Sequence, residues 1–292
     1  MGSLYSLYEK QPMLTVYAPA KVNLVLEVLG RHGDYHQLSS IVQTINLSDI
    51  LNFNPDKEIS LECDEPSLEY DNLVIEAATI LKESTGSSLG VKMTLQKHIP
   101  WGTGLGGGSS DAAATLLALN ELWELRLSLH ELAYIASRLG SDIPFFVYKG
   151  TALVEGKGEK VTPLTSLSPT WFVLLLPPLI KIPNKTKQMY NKLDSSHFTR
   201  GQFVQTALSV LTRGDPIAPA LMFNVFQKPA FDFFPELDEC ARTFQKAGAS
   251  TIHLAGSGPC LFSSFSEEKK ANEVYSCLKE QGMECYKASS IP

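Results

Sequence analysis

Residues 100–120 read PWGTGLGGGSSDAAATLLALN. Gly102, Gly104, Gly106, Gly107 and Gly108 crowd between Pro100 and Ser109, and one of the best helix-forming runs in the chain follows. Ordering glycine costs conformational entropy, so such a cluster serves unusual torsions or a ligand that must approach bare backbone. The spacing predicts a helix over 109–124, running through Ala113, Leu116, Leu117, Asn120 and Trp123, with Ser109, Ser110 and Asp111 as N-cap candidates. A helix start leaves unpaired N–H groups and a partial positive charge. A side-chain-free loop ahead of it aims more N–H groups at the same place, which makes a phosphate cradle. The serine hydroxyls add bonds to phosphate oxygens or to a bound magnesium ion.

Other glycine-loop chemistries fit poorly. Gly102-x-Gly104-x-x-Gly107 matches the dinucleotide fingerprint formally, but the acidic residue it requires about twenty positions on falls at Glu121 or Glu124, inside the helix. No Gly-Lys-Ser/Thr follows, so the loop is not a Walker loop, and the chain has no HRD or DFG of a protein kinase.

The 292 residues are 44% hydrophobic and carry a net charge of −6. That length allows two domains. An acidic balance without a run of one sign argues against non-specific nucleic-acid or anionic-membrane binding. Cys63, Cys240, Cys260, Cys277 and Cys285 are scattered and contain no CxxC pair. They point to reduced thiols in a cytoplasmic protein, not to a disulfide scaffold or structural zinc. The histidines form no HExxH pattern, so a metal is expected only if a nucleotide carries it in. No apolar run reaches membrane-spanning length. Residues 1–12 precede a cleaner strand-like stretch at Met13 and read as an extension or remnant.

Strand patterns fall at 13–19, 21–29, 49–54, 58–63 and 91–97, and helical ones at 72–84, 109–124 and 129–139. Residues 156–170 are polar and turn-rich. An apolar strand follows at 171–177, then helical segments from about 185 to 247, then strand, turn, strand, helix and strand to the end. The fold class is α+β, since the strands do not alternate steadily with helices, and a boundary near 165 gives domains 1–165 and 166–292.

GLGGGSSDAA after a Pro-x-x-x spacer resembles the phosphate-binding motif of the GHMP small-molecule kinases. APAKVNLVLEVLGRHGDYHQL (18–38), DNLVIEAATIL (71–81), LGSDIPFFVYKGTALVEGKGEKVTPL (139–164) and LAGSGPCLFSSF (254–265) resemble further segments of that family in order and spacing, and the likeness covers 17–288. It implies a ribosomal-S5-like N-terminal domain, a ferredoxin-like C-terminal domain and a cleft between them. It also implies ATP with Mg2+ as cofactors and, for the triple-glycine form, a cytidine diphosphate derivative of methylerythritol as the small-molecule partner, phosphorylated on its 2-hydroxyl. Homoserine- or mevalonate-type kinases and a non-catalytic nucleotide-binding module are the alternatives, and the protein is expected to be a monomer or homodimer.

The resemblance also distributes roles. Asp142, which on its own reads as a helix N-cap before Ile-Pro, becomes the general base for the substrate hydroxyl. Lys21 pairs with it and steadies negative charge, with Asn23 two residues on along the same strand face. Pro100, Gly102, Gly104, Leu105, Gly106, Gly107, Gly108, Ser109 and Ser110 form the ATP loop. Lys97 faces the nucleotide, and Asn72 lies by the adenine or caps the 72–84 helix. Tyr35, His36 and Tyr190 hold the cytidine ring by stacking and edge hydrogen bonds. Gly256, Ser257 and Gly258 bring a second glycine turn to the substrate. Two departures from the family stand out. Gly33-Asp34-Tyr35-His36 replaces Asp-Gly-Tyr-His, and Asn224-Val225-Phe226-Gln227 stands where relatives often end in Glu; no catalytic role attaches to the latter.

Overall fold

A computed structural model describes residues 13–33, 35–68, 72–178, 182 and 184–292. The proposed extension 1–12, Asp34 of the Gly33–His36 loop and Asp71 of the 71–81 motif lie outside the described residues. The order of elements is β1 (Leu14–His32), β2 (Tyr35–Asp56), β3 (Ile59–Cys63), α1 (Leu73–Thr85), β4 (Gly90–Gln96), α2 (Gly107–Leu122), α3 (Leu129–Ser137), α4 (Ile143–Tyr148), β5 (Thr151–Gly156) and β6 (Lys160–Pro163). It continues through β7 (Trp171–Leu175), α5 (Lys185–Asn191), α6 (Gln202–Thr212), β8 (Phe223–Asn224), α7 (Gln227–Phe233), α8 (Glu236–Lys246), β9 (His253–Leu254), β10 (Leu261–Phe265), α9 (Glu268–Glu280) and β11 (Cys285–Ser289). The α+β class expected from the sequence is observed.

Two compact units interleave along the chain. The first gathers Met1–Ala20, Ser48–Ile99 and Gly107–Tyr148. In it the end of β2 runs antiparallel to β4, from Ile50 opposite Gln96 to Asp56 opposite Gly90, and β3 lies parallel to β4. Helices α1 to α4 pack with one another and supply much of the core, with Val74, Leu81, Leu116, Leu119, Leu132 and Phe146 all buried. Helix α1 starts at Asn72, whose side chain accepts from the Val74 N–H, and stops at a left-handed Gly86. Helix α3 starts with a capping box between Ser128 and Glu131.

The second unit gathers Lys21–Leu47, Pro100–Gly106 and Lys149–Pro292. Here the first half of β2 pairs with β5, β5 with β6, and β1 runs parallel to β8 through Val25 opposite Phe223 and Leu26 opposite Asn224. A separate antiparallel sheet has the order β11-β7-β10-β9, and α9 packs on it. Its apolar strand β7 is central and buried from Phe172 to Leu175, which explains why the sequence there is a continuous hydrophobic run.

Several sequence expectations need correcting. Strands 13–19 and 21–29 are one strand, because Ala20 and Lys21 continue the extended backbone without a break. Segment 35–48, which the periodicity did not mark, is the first part of the 22-residue β2. The polar 156–170 stretch holds β6, which among the described residues pairs with β5 alone. Helix α2 begins at Gly107, so Ser109, Ser110 and Asp111 lie inside the helix and do not cap it.

Helix α8 shows how pattern becomes stability. Leu237, Cys240 and Phe244 recur at helical spacing and are buried, while three acidic residues fill its exposed first turn. Phe244 is fully buried in the cluster with Val274, Leu278 and Leu254. Truncating it removes a large buried side chain from a packed core. Phe244→Ala is therefore expected to lower stability by about 3–5 kcal/mol in urea unfolding; a loss below about 1 kcal/mol would show that α8 contributes little to this core.

Candidate active site

In the first unit, a charged cluster fixes the start of α2. Strand β4 ends at Gln96, and Lys97 turns its ammonium inward to bond Asp49 and, at 2.7 Å, Asp111. The other Asp49 oxygen accepts the N–H groups of His98 at 2.6 Å and Ile99 at 2.7 Å. One buried carboxylate thus holds the backbone where it enters the glycine loop, and a lysine ties it to Asp111 near the start of α2. A Cβ on Gly107 would crowd Ile99 and this Asp49 carboxylate, so helix and strand end approach closely here. Burial works against the Lys97 charge, but Asp111 and Asp49 together outweigh it and hold its pKa above the usual lysine value. Burial pushes the Asp111 carboxyl up to about 7, with Asp49 adding to the rise and Lys97 opposing it. Lys97, expected to face the nucleotide, is engaged by two carboxylates.

The Ser110 hydroxyl is buried at the α2 start and has no hydrogen-bond partner among the described residues. Ser109 is half-buried and Gly108 exposed on the same turn. Asn72 caps α1 and also donates to the Leu68 carbonyl at 2.6 Å, so its amide is committed to the local fold. Asp142 is exposed and immediately precedes α4, which packs on α2.

In the second unit, two glycine turns are stitched together. Gly102, Gly104 and Gly106 all have positive φ, so alternate residues of the loop use backbone that side chains rarely permit. A Cβ on Gly104 would overlap the Ala255 carbonyl oxygen, and one on Gly256 would press on the Gly104 carbonyl and the Lys21 ammonium. The Cys260 N–H donates to the Thr103 carbonyl at 3.2 Å, and the Thr103 hydroxyl donates to the Pro100 carbonyl at 2.6 Å. The Lys21 N–H donates to the Leu105 carbonyl at 2.9 Å. Strand β1 thereby holds one side of the loop, and the 255–260 turn holds the other.

Side chains on β1 continue this frame. The Lys21 ammonium donates to Asn23 Oδ1 at 2.6 Å, Asn23 Nδ2 donates to the Ser40 hydroxyl at 2.9 Å, and that hydroxyl donates to the Val25 carbonyl at 2.6 Å. Lys21 and Asn23 are both buried on one strand face, as their two-residue spacing requires. His36 stacks on Tyr190 with ring centroids 5.1 Å apart, and Phe198 meets His36 edge-on. Burial, with a smaller contribution from Arg31, lowers the His36 pKa, so its ring is neutral at neutral pH, with one donor and one acceptor nitrogen. Tyr35 is exposed, with the Lys157 ammonium over its ring.

Sequence reading missed several members of this frame. Asn224 is buried and donates to the carbonyls of Leu254 and Gly256, each at 2.8 Å, while accepting the Phe226 N–H at 2.9 Å. It anchors the second glycine turn. Lys185 is buried and donates to the Gly258 carbonyl, and the Thr186 and Ser257 hydroxyls share a hydrogen bond at 3.1 Å. Asp49 carried a signal of its own, a carboxylate inside the apolar stretch of β2.

Comparison with known proteins identifies the class. The GHMP kinases N terminal domain matches residues 72–150, and the GHMP kinases C terminal domain matches residues 209–283. The chain belongs to the GHMP kinase family. It is 42% identical over 281 residues to 4-diphosphocytidyl-2-C-methyl-D-erythritol kinase of Dehalococcoides mccartyi, covering 96% of this chain and 99% of that one. The kinase of the same name from Geobacillus thermodenitrificans is 37% identical over 273 residues, covering 91% and 93% of the two chains. A crystal structure of 4-(cytidine 5'-diphospho)-2C-methyl-D-erythritol kinase superposes with a TM-score of 0.81 at 33% identity, over 96% of this chain and all of the other. Homoserine kinase from Cytophaga hutchinsonii, at 17% identity and a TM-score of 0.75 over 97% of this chain and 95% of that one, shares the fold.

Two predictions follow from the frames on either side of the loop. Gly104→Ala adds a methyl group against the Ala255 carbonyl at a positive φ. It should cost roughly 1–3 kcal/mol from crowding alone, with strain added, and weaken ATP binding; calorimetric titration matching the wild type would contradict the close approach. For the Asp49–Lys97–Asp111 cluster, the sign of the pH effect is definite. Between the ordinary carboxylate range and about 7, folded Asp111 holds a proton that the unfolded chain has released, so stability falls as pH rises through that window. Asp111→Asn keeps the shape and removes the surplus negative charge. Its unfolding free energy should be flatter than the wild type's over roughly pH 5 to 8, and parallel profiles for the two proteins would rule out Asp111 as the source.

Proposed function

We propose that this protein transfers the γ-phosphoryl group of ATP to the 2-hydroxyl of 4-diphosphocytidyl-2-C-methyl-D-erythritol, a step of non-mevalonate isoprenoid precursor biosynthesis. The observation that carries the reading is likeness over nearly the whole of both chains to kinases bearing that substrate's name. Homoserine and mevalonate kinases share the fold at 16–17% identity, which supports no transfer of their substrates.

Phosphoryl transfer asks a protein for position and charge more than for covalent chemistry. The N–H groups of the first turn of α2, which no helical carbonyl can take, and the glycine backbone of the loop before it would cradle the ATP phosphates. The hydroxyls of Ser109 and Ser110, the latter buried without a partner among the described residues, would help to hold a Mg2+ ion brought in by the nucleotide. Such an ion would supply positive charge to the phosphates. Asp142 takes the proton of the attacking hydroxyl, and its exposure leaves its oxygens open to a substrate. Lys21, held by Asn23 and Ser40, supplies a fixed positive charge for the anionic phosphates. Tyr35, His36 and Tyr190 receive the cytosine ring, and neutral His36 offers both a donor and an acceptor to its edge. The Gly256–Gly258 turn, anchored by Asn224, approaches the rest of the substrate.

The test is ADP release coupled to a reporter, with cytidylated methylerythritol, homoserine and mevalonate compared as acceptors. Only the cytidylated alcohol is expected to turn over. Asp142→Asn should lower kcat by roughly 10²–10⁴-fold while ATP affinity stays within about twofold. Unchanged kcat would remove Asp142 as the base, and turnover of another alcohol in its place would remove the substrate assignment.

A further inference from the structure

Lys97 and Lys185 are both buried lysines, but their surroundings are opposite. Lys97 is held by two carboxylates. Lys185 bonds a neutral carbonyl, that of Gly258, and among the described residues no carboxylate pairs with it. Removing an ammonium from water without an opposing charge is costly. The groups facing it do not relieve that cost. They are Lys21, which repels it from β1, and the Cys260 thiol, whose pKa burial pushes up to about 12 and which is therefore neutral. Burial and Lys21 together lower the Lys185 pKa to about 8. Such a lysine is matched to an anion that arrives from outside.

Its place in the fold suggests which anion. Lys185 and Tyr190 lie on the same helix, α5, five residues apart, so they are separated by about 7.5 Å along its axis. Tyr190 carries the His36 stack, whereas Lys185 reaches the Gly256–Gly258 turn, where the Lys21 ammonium and the Thr186–Ser257 hydroxyl pair also lie. A base on the aromatic pair would extend its ribose and phosphates along this helix.

We propose that Lys185 binds the diphosphate of the cytidylated substrate and so helps to select it over uncharged alcohols. This rests on the substrate reading above. The other anion that could meet Lys185 is the γ-phosphate of ATP, and kinetics separates the two. Lys185→Met keeps the volume and removes the charge. It should raise KM for the cytidylated alcohol at least tenfold, with KM for ATP within twofold of wild type; Lys185→Arg should recover most of the loss. The substrate's diphosphate is a diester and does not titrate near neutrality, so the wild-type substrate KM should climb as pH rises through about 8, where Lys185 loses its proton. That climb should vanish in Lys185→Met and in Lys185→Arg.

Binding of cytidine 5'-diphosphate and of cytidine, measured by calorimetry, gives a readout independent of turnover. Wild type should prefer the diphosphate, and Lys185→Met should lose the preference while binding cytidine equally well. A substrate KM unmoved by Lys185→Met, a change falling on ATP instead, or a retained preference for the diphosphate would overturn the proposal. A wild type inactive on the cytidylated alcohol that still shows the Lys185-dependent preference would instead place the error in the substrate reading.

Discussion

Two main-chain turns touch where neither has room for a side chain. Gly104 and the Ala255–Gly256 backbone lie so close that a single Cβ on either glycine would collide with carbonyl oxygen. This contact sets the second unit's part of the site. It fixes the path of residues 100–106, and the chain then passes directly into α2 at Gly107. It also puts Gly256 beside the Lys21 ammonium, and it leaves Gly258 turned so that its carbonyl meets Lys185. The entropy cost of so many glycines is offset by what their bare backbone allows: close approach to each other and, in a kinase, to phosphate.

Charge is handled differently on the two sides of the peptide that links Gly106 to Gly107. On the α2 side, Lys97 is spent on Asp49 and Asp111, and the bonds that Asp49 accepts from the His98 and Ile99 N–H groups turn that pairing into backbone rigidity. On the other side, Lys21 and Lys185 are neighbours and repel. The first arrangement positions groups, and the second concentrates positive potential in a chain whose net charge is −6. An acidic protein can bind anions when its cations are gathered locally and its carboxylates are spent elsewhere on structure.

Much of this was legible in the sequence, for physical reasons that can be named. The long helix after the glycine run, the alternation in β4 and the apolar run of β7 follow from periodicity, because one buried face or two buried faces imposes it. The family motifs located Lys21, Asn23, His36, Tyr190 and the two glycine turns, and within the second unit these turns meet. Less legible were residues whose meaning depends on a distant partner. Asn224 stands in a segment to which the sequence attaches no catalytic role, yet its amide donates to the carbonyls of residues 254 and 256. The start of α2 is hard to place from sequence because Ser109–Asp111 resemble caps locally, while the helix already begins at Gly107 and Asp111 pairs with Lys97, distant in sequence.

Lys185 shows how burial and partner together assign a role that residue type alone does not. A lysine at the start of a short helix is, by sequence, a solvated surface residue. Had it been exposed, its repulsion from Lys21 would be screened and would carry no information. Had it met a carboxylate, as Lys97 does, it would be part of the scaffold. Being buried, beside another cation and bonded to a carbonyl, it is the less stable choice for folding alone, since an apolar side chain of similar size would cost less there. The proposed complex accounts for the residue, because an anion there would replace the water that folding removed. The same logic underlies the proposed role of the amides at the head of α2, since a helix start leaves N–H groups that no helical carbonyl can take.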